Sequence, residues 1–234
     1  VLLSKDYAQA QRQRLDRHQA AVVCGERAMA ELHAAALRPG VPAAYASGLT
    51  THLATADAAG NVVTLTQTLG NAFGCGVAIG DTGILLNDMT YWFEIDPATQ
   101  SPNLIAPWKR VDFCLAPMQV FRDGAFCLSL GTPGSYGILQ TTVQMLLHCL
   151  DFGMPIQAAI EAPRFRYFEG RRVEMEGRFP AETRQVLSQL GHQIDVLDPW
   201  SPSVGGGQGI LRHPESGALL GGADPRRDGY VVGF

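Results

Sequence analysis

The 234-residue chain has no CxxC pair and no Cys/His grouping at metal-ligand spacing, which excludes zinc ribbons, zinc fingers and thioredoxin-like redox motifs. Its five cysteines (Cys24, Cys75, Cys114, Cys127 and Cys149) are odd in number and widely spaced. They read as buried free thiols, a usage that fits a reducing cytoplasm. Basic residues are not in excess: the net charge is -4, so there is no patch of the kind that nucleic acid requires. No apolar stretch is long enough to span a bilayer, and no charged n-region with a following apolar h-region opens the chain. An export signal on a longer precursor keeps a periplasmic location as the alternative. Internal repeats and low-complexity tracts are also missing. With 46% hydrophobic and 17% charged residues, the chain can fill the core of one sizeable domain or two small ones.

Residues 4–36 are helical in character, with Ser4 as a cap and a break near Asp16 or Gly25 dividing them. Arg38-Pro39-Gly40-Val41-Pro42 ends that region, and residues 43–49 form a small-residue linker suited to cleavage. Short strands are expected at 76–79 and 84–86, followed by a long irregular segment from Asp88 to Arg110 that suits a pocket wall. A hairpin is expected across Arg122-Asp123-Gly124, between strands 118–121 and 125–130. Residues 137–150 form the clearest helix, apolar over so much of its surface that burial on both sides is expected. A short helix follows Pro155, another runs from Pro180 to Leu190 with Gly191 closing it, and strands lie near 172–175, 194–196, 209–211 and 218–220. Hairpins with helices inserted between them define an α+β layered fold.

The chemistry-bearing feature is Thr50-Thr51-His52, which opens an alternating run that turns at Asp57 to Asn61 and returns through Val62 to Thr68. This hairpin begins on one hydroxyl and its return strand ends on another. If the Leu49–Thr50 bond is cut, the α-amine of Thr50 becomes a base able to activate its own hydroxyl. Gly131-Thr132-Pro133-Gly134-Ser135 precedes the long helix, where a tight turn presents backbone N–H groups. His52 and His148 read as packing residues, and Asp224-Pro225-Arg226 as a structural turn. Gly205-Gly206-Gly207 lacks the following Lys-Ser/Thr of a phosphate loop.

These segments, in order, resemble the gamma-glutamyltranspeptidase family of N-terminal-nucleophile hydrolases. The blocks are Thr50-Thr51-His52, Asp57 to Asn61, Phe73-Gly74, Gly83 to Asn87, Lys109-Arg110, Gly131 to Gly134, Ala162-Pro163-Arg164-Phe165 and Asp224-Pro225-Arg226. The resemblance implies a four-layer αββα sandwich, about half of it supplied by this chain. Residues 1–49 would be the tail of a large subunit cut from the same precursor, and residues 50–234 the small catalytic subunit. It implies an assembly of two large and two small subunits, with no metal or organic cofactor and no nucleic-acid or membrane partner. Thr50 would be the nucleophile, Thr68 its orienting hydroxyl, and the amides of Gly134 and Ser135 the oxyanion hole. The family commonly has a second glycine at the position of Ser135.

The departures bear on the substrate. Where the family holds a glutamyl α-amino group with an Asp and a Gln, this chain has Trp92 and Met89. The paired serines that grip the α-carboxylate correspond to Phe113 and Cys114, and a family asparagine corresponds to Gly70, with Asn71 beside it as a substitute. Apolar side chains cannot desolvate a zwitterion, so γ-glutamyl recognition is not expected. A compact acid amide is expected instead, as in the oxamate amidohydrolase branch, with ammonia released through an acyl-enzyme. A bulkier side chain as in cephalosporin acylases, γ-glutamyl transfer completed by the large subunit, and an inert unprocessed subunit are the alternatives. Lys109, Arg110 and Arg164 are the local cations for a substrate carboxylate, each also readable as a structural residue.

Overall fold

Two hairpins and one buried ion network organise the fold of this computed structural model, which describes residues 4–20, 49–168 and 170–234. The first hairpin pairs β1 (Leu49–Ala56) with β2 (Val62–Gly70). Its turn is fixed by Asp57, whose carboxylate accepts both the backbone and side-chain N–H groups of Asn61, at 2.9 and 2.8 Å. The second joins β3 (Met118–Arg122) to β4 (Ala125–Gly131) through Asp123 and Gly124 at φ 51° and 78°. Positive φ at both central residues is the geometry that matches strand twist in a two-residue turn.

β4 continues into an antiparallel sheet with β8 (Gln208–Arg212) and β9 (Leu219–Ala223), in the order β3-β4-β8-β9. One face of this sheet carries α2 (Ile138–Leu150) and α3 (Ile156–Glu161). Leu128 and Leu130 of β4 pack there with Met145, Ile156, Ala159 and Ile160, all essentially buried. Gly209 and Gly222 let α3 seat closely, since a Cβ on either would meet Ile156 or Ile160 within about 3.2 Å. The opposite face of β4 carries the first hairpin: Ser129 Oγ lies 3.0 Å from Thr64 Oγ1, and the His52 ring rests on Gly131. A third sheet, β5-β6-β7 (Phe165–Tyr167, Arg172–Glu176, Gln193–Leu197), includes a parallel pair joined through α4 (Ala181–Gln189).

The α+β expectation therefore holds in its coarse form. Among the described residues there are three layers, hairpin, sheet and helices, and the outer face of the hairpin leaves Leu53, Val63 and Leu65 exposed. Several local expectations need correction. The first helix, α1 (Lys5–Gln13), is followed by non-helical residues 14–20, and the remainder of the expected helical region, the linker up to Gly48 and Cys24 lie outside the described residues. The strands expected at 76–79 and 84–86 reduce to one bridge, Ala78 to Leu85. α2 is buried on one side only, since it forms an outer layer and leaves Leu139, Val143 and Leu147 exposed. Cys75 is exposed and Cys127 only half-buried, while Cys114 and Cys149 are buried as expected.

The ion network joins β6 of the third sheet to the residues that follow β9. Arg164, Glu176, Asp224 and Arg226 have side chains sealed from solvent. Arg226 donates to both oxygens of Glu176, at 2.7 and 2.6 Å, and to Asp224 Oδ1 at 3.0 Å. The Arg164 guanidinium pairs with Asp224 Oδ2 and donates to the Ile160 carbonyl at 3.0 Å. Burial alone would raise the Asp224 carboxyl, but Arg164 and Arg226 hold it below the usual carboxylate range. Removing one partner leaves an uncompensated buried charge, so Asp224→Ala should cost about 3–5 kcal/mol. Urea unfolding of the full-length protein checks this, and a loss comparable to that of an exposed salt bridge would contradict the role given to the network.

Candidate active site

The site lies where the first hairpin meets the loop after β4. Thr50 stands opposite Thr68, and the register slips between Leu49 and Thr50, because Leu49 pairs with Gly70 and leaves Leu69 as an extra residue. Bulges of this kind bend a strand and re-aim its side chains. The Thr50 hydroxyl donates to Thr68 Oγ1 at 3.1 Å, and Thr68 Oγ1 also accepts the Gly70 N–H at 3.0 Å. Accepting both donors fixes the Thr50 proton toward Thr68 and leaves lone pairs of Thr50 facing elsewhere.

The hydroxyl pair forms one wall of a cleft. The 3₁₀ turn Met89–Trp92 supplies the opposite wall, with Met89 and Trp92 buried. The Trp92 ring lies 4.8 Å from that of Tyr136 and 6.5 Å from that of Phe113, a geometry in which tilted aromatic rings attract. Gly70, Tyr91, Cys114, Leu115 and Ser135 complete the lining. The cleft is narrow, with free room for about one water. No Asp, Glu, Lys or Arg is among its lining residues. Burial pushes the Cys114 thiol up to about 12, so it stands there neutral.

At the third edge, the 131–135 loop carries Gly134 at φ 137° and Ser135 at φ 55°. Left-handed backbone costs a non-glycine residue about 1–2 kcal/mol, which explains physically why a glycine suits position 135. The loop is seated on the glycine run: Gly206 N–H donates to Thr132 Oγ1 at 2.9 Å, and a Cβ on Gly205 would lie 2.3 Å from that oxygen. Gly205-Gly206-Gly207 thus serves as a packing seat.

Of the residues singled out from sequence, Thr50, Thr68, Gly70, Met89, Trp92, Phe113, Cys114 and Ser135 line this one cleft, and Gly134 adjoins Ser135. Asn71 does not line it, because its N–H and its carboxamide both donate to Asp88, at 2.9 and 2.7 Å. An asparagine at position 70 would collide with the same carboxylate, since a Cβ there falls 1.9 Å from Asp88 Oδ1. Arg164 is committed to the buried network, and Lys109 and Arg110 are exposed on the long loop outside the cleft. Sequence reasoning missed Asp88, Tyr91, Leu115 and Tyr136. Asp88 sits beside the Gly-Ile-Leu-Leu-Asn block, and that adjacency was the available signal.

His52 packs rather than lines the cleft. Its Nδ1 lies 2.7 Å from Thr66 Oγ1, and a Cβ on Gly131 would meet its ring at 2.1 Å. Burial lowers its imidazole from 6.5 to about 4, so the ring is neutral at pH 7.

The whole chain, residues 1–234, matches the family model described as gamma-glutamyltranspeptidase. The chain belongs to the gamma-glutamyltranspeptidase family. It is 38% identical over 183 residues to the Acylase ACY 1 proenzyme of Pseudomonas sp. (strain SE83), covering 78% of this chain and 32% of that protein. It is 31% identical over 194 residues to the oxamate amidohydrolase proenzyme of Klebsiella pneumoniae subsp. pneumoniae, covering 80% and 36%. Among solved structures, cephalosporin acylase from Bacillus halodurans matches with a TM-score of 0.80 at 33% identity, over 99% of this chain and 38% of that one. The chain thus spans about a third of the length of these curated relatives.

Two predictions follow from the geometry around the loop. Ser135→Gly should keep the fold, whereas Ser135→Val, a β-branched residue at positive φ, should lower stability by about 1–3 kcal/mol in chemical denaturation. For His52 the unfolded ring titrates near 6.5 and the folded one near 4, so the unfolded chain binds the extra proton between them. The contribution is fully present above pH 6.5 and is lost as the pH falls to about 4, by roughly 3 kcal/mol at most. Unfolding free energies measured across that window should show the loss, and a His52→Gln protein should lack this component.

Proposed function

We propose, on the premise that the chain belongs to the gamma-glutamyltranspeptidase family, that Thr50 is the nucleophile of a self-processing amidohydrolase. The observation that carries this reading is the Thr50–Thr68 hydroxyl pair, 3.1 Å apart, on the wall of a small uncharged cleft. In the chain as it stands, the nitrogen of Thr50 belongs to its peptide bond with Leu49. Thr50 Oγ first attacks the Leu49 carbonyl, and the acyl group moves from nitrogen to oxygen. Water then hydrolyses the ester, leaving a carboxylate on Leu49 and a free α-amine on Thr50. The ladder slip at this bond and the word proenzyme in the relatives' names support that sequence of events.

Turnover repeats the same chemistry on a substrate. The α-amine takes the Oγ proton as Oγ attacks an amide carbonyl, and the N–H groups of Gly134 and Ser135 stabilise the oxyanion. Collapse returns the proton to the leaving ammonia or amine, and water resolves the acyl-enzyme. Thr68 holds the Thr50 hydroxyl in the attacking orientation.

The acyl group is compact and carries no α-ammonium. Met89, Trp92, Phe113 and Cys114 offer no charge to such a group, and an unpaired buried ion is costly. A short acid amide such as oxamate fits best, with the cation for its carboxylate supplied from outside this cleft, by a large subunit of the same precursor in an assembly of two large and two small subunits. A second reading, an acylase with a larger apolar side chain, is favoured by Phe113, 43% exposed, and by the likeness to the Bacillus halodurans enzyme.

The full-length protein incubated with oxamate should release ammonia, and intact mass should reveal a chain beginning at Thr50. Thr50→Ala should abolish both. Cleavage without ammonia release would move the substrate to the acylase class, and a Thr50→Ala protein that still matures would sink the mechanism.

A further inference from the structure

Asp88 lies outside the cleft yet is bonded to both of its walls. On the hydroxyl side, Asp88 Oδ1 accepts the Asn71 N–H at 2.9 Å, and Oδ2 accepts the Asn71 carboxamide at 2.7 Å. The Asp88 N–H closes the loop by donating to the Leu69 carbonyl at 2.9 Å. These bonds enclose Gly70, held at φ 86°, whose N–H donates to Thr68 Oγ1. On the apolar side, Asp88 begins the turn carrying Met89, Tyr91 and Trp92, and its carbonyl accepts the Tyr91 N–H at 3.0 Å. A Cβ on Gly70 would also come within 3.2 Å of Met89 Sδ, so the two walls are already in close contact.

We propose that Asp88 is a positioning residue that sets the spacing between the Thr50–Thr68 pair and the Met89–Trp92 wall, and thereby the length of acyl group the cleft accepts. The proposal rests on the reading of Thr50 as nucleophile. Its carboxylate works through geometry: beside the backbone bond from the Asp88 N–H to the Leu69 carbonyl, its two bonds to Asn71 lock the Leu69–Asn71 turn to the segment that starts the opposite wall. Without them the Gly70 N–H loses its fixed direction at Thr68, and the apolar wall can move outward. The first effect slows attack by Thr50, and the second relaxes selection for short acyl groups. Small displacements of a reacting group are enough for large rate losses, about 10²-fold for 1 Å.

The test compares full-length wild-type, Asp88→Ala, Asp88→Asn and Thr50→Ala proteins. The readouts are the rate of Leu49–Thr50 self-cleavage by intact mass, and ammonia release (kcat and KM) from oxamate, malonamate and succinamate. Asp88→Ala should slow cleavage and lower kcat on oxamate by about 10–100-fold, while raising the succinamate-to-oxamate ratio of kcat/KM. Asp88→Asn should rescue both, because an asparagine keeps the bonds once the Asn71 carboxamide turns over to accept. A merely structural role would leave the chain-length ratio unmoved. If Asp88→Ala fails to fold, Asn71→Ala, which removes only the bond to Oδ2, should shift the ratio in the same direction. An Asp88→Ala protein with wild-type cleavage and an unchanged ratio overturns the proposal, and so does an Asp88→Asn protein as defective as the alanine variant. Should the wild type itself not cleave, the nucleophile reading fails and this proposal falls with it. Should it cleave without hydrolysing these amides, the cleavage rates alone decide for or against Asp88.

Discussion

The four charges buried at the junction of the sheets are the constraint from which the 131–135 loop takes its position. Asp224 is the pivot: Oδ2 pairs with Arg164 and accepts the Gly207 N–H at 2.8 Å, while Oδ1 takes Arg226. Gly207 ends the run whose first two glycines seat Thr132 and the backbone beside Gly134. Two intermediates, the glycine run and Thr132, thus separate a sealed ion pair from the loop that approaches the cleft. Burying four ions is expensive, and an apolar cluster of similar volume would be at least as stable. An apolar cluster, however, has no directional bond to give to a backbone N–H. The network supplies that direction, and Glu176 extends it by accepting the N–H groups of Arg164 and Ser201, at 2.9 and 3.1 Å.

The first hairpin obeys a related logic. Its inward face places Thr50, His52, Thr64 and Thr66 beside Ala54 and Val62, while Leu53, Val63 and Leu65 face outward. Polar groups at a sheet-to-sheet contact are stable only when bonded, and here Thr64 finds Ser129 and His52 finds Thr66. The ring of His52 fits only because residue 131 has no side chain. That contact brings β1, with Thr50 two residues before the histidine, against the strand whose end carries the Thr132–Ser135 loop. Hydroxyl pair and loop are thereby aligned by one packed ring.

Much of this was legible in the sequence where local physics decides. Asp123-Gly124 announced its turn, Pro155 and Pro180 announced helix starts, and Thr50 and Thr68 were paired by the length of the hairpin alone. The cleft lining was legible through the resemblance, since the positions come from distant segments whose meeting no periodicity reveals. What stayed hidden depended on tertiary context. Alternation located the hairpin strands, but a period of two does not say which face turns inward. The apolar breadth of α2 suggested burial on both sides, yet only Met145, Cys149 and their neighbours meet the sheet, while Ile138 packs with Met89, Trp92 and Cys114. Asp88 carries no motif of its own, and its importance comes from bonds to residues 17 and more positions away.

The chemistry of the cleft follows from charge economy. A γ-glutamyl head group brings both an ammonium and a carboxylate, and removing them from water requires bonded partners of opposite sign. The wall formed by Met89, Trp92, Phe113 and Cys114 has none, and Cys114 itself stays protonated because burial disfavours its thiolate. Asp88, which precedes Met89 in the sequence, is spent on Asn71 and is not in the lining. Moving it inward would break the turn that orients Gly70 and Thr68, so this carboxylate could meet an ammonium only by disordering the Thr50–Thr68 hydroxyl pair. The carboxylate that holds the Leu69–Asn71 turn is therefore withheld from the cleft. A donor whose acyl end is short and carries no ammonium avoids the first of these costs and leaves only a carboxylate to be paired from outside the cleft, and this is the physical reason to look for the substrate among compact amides.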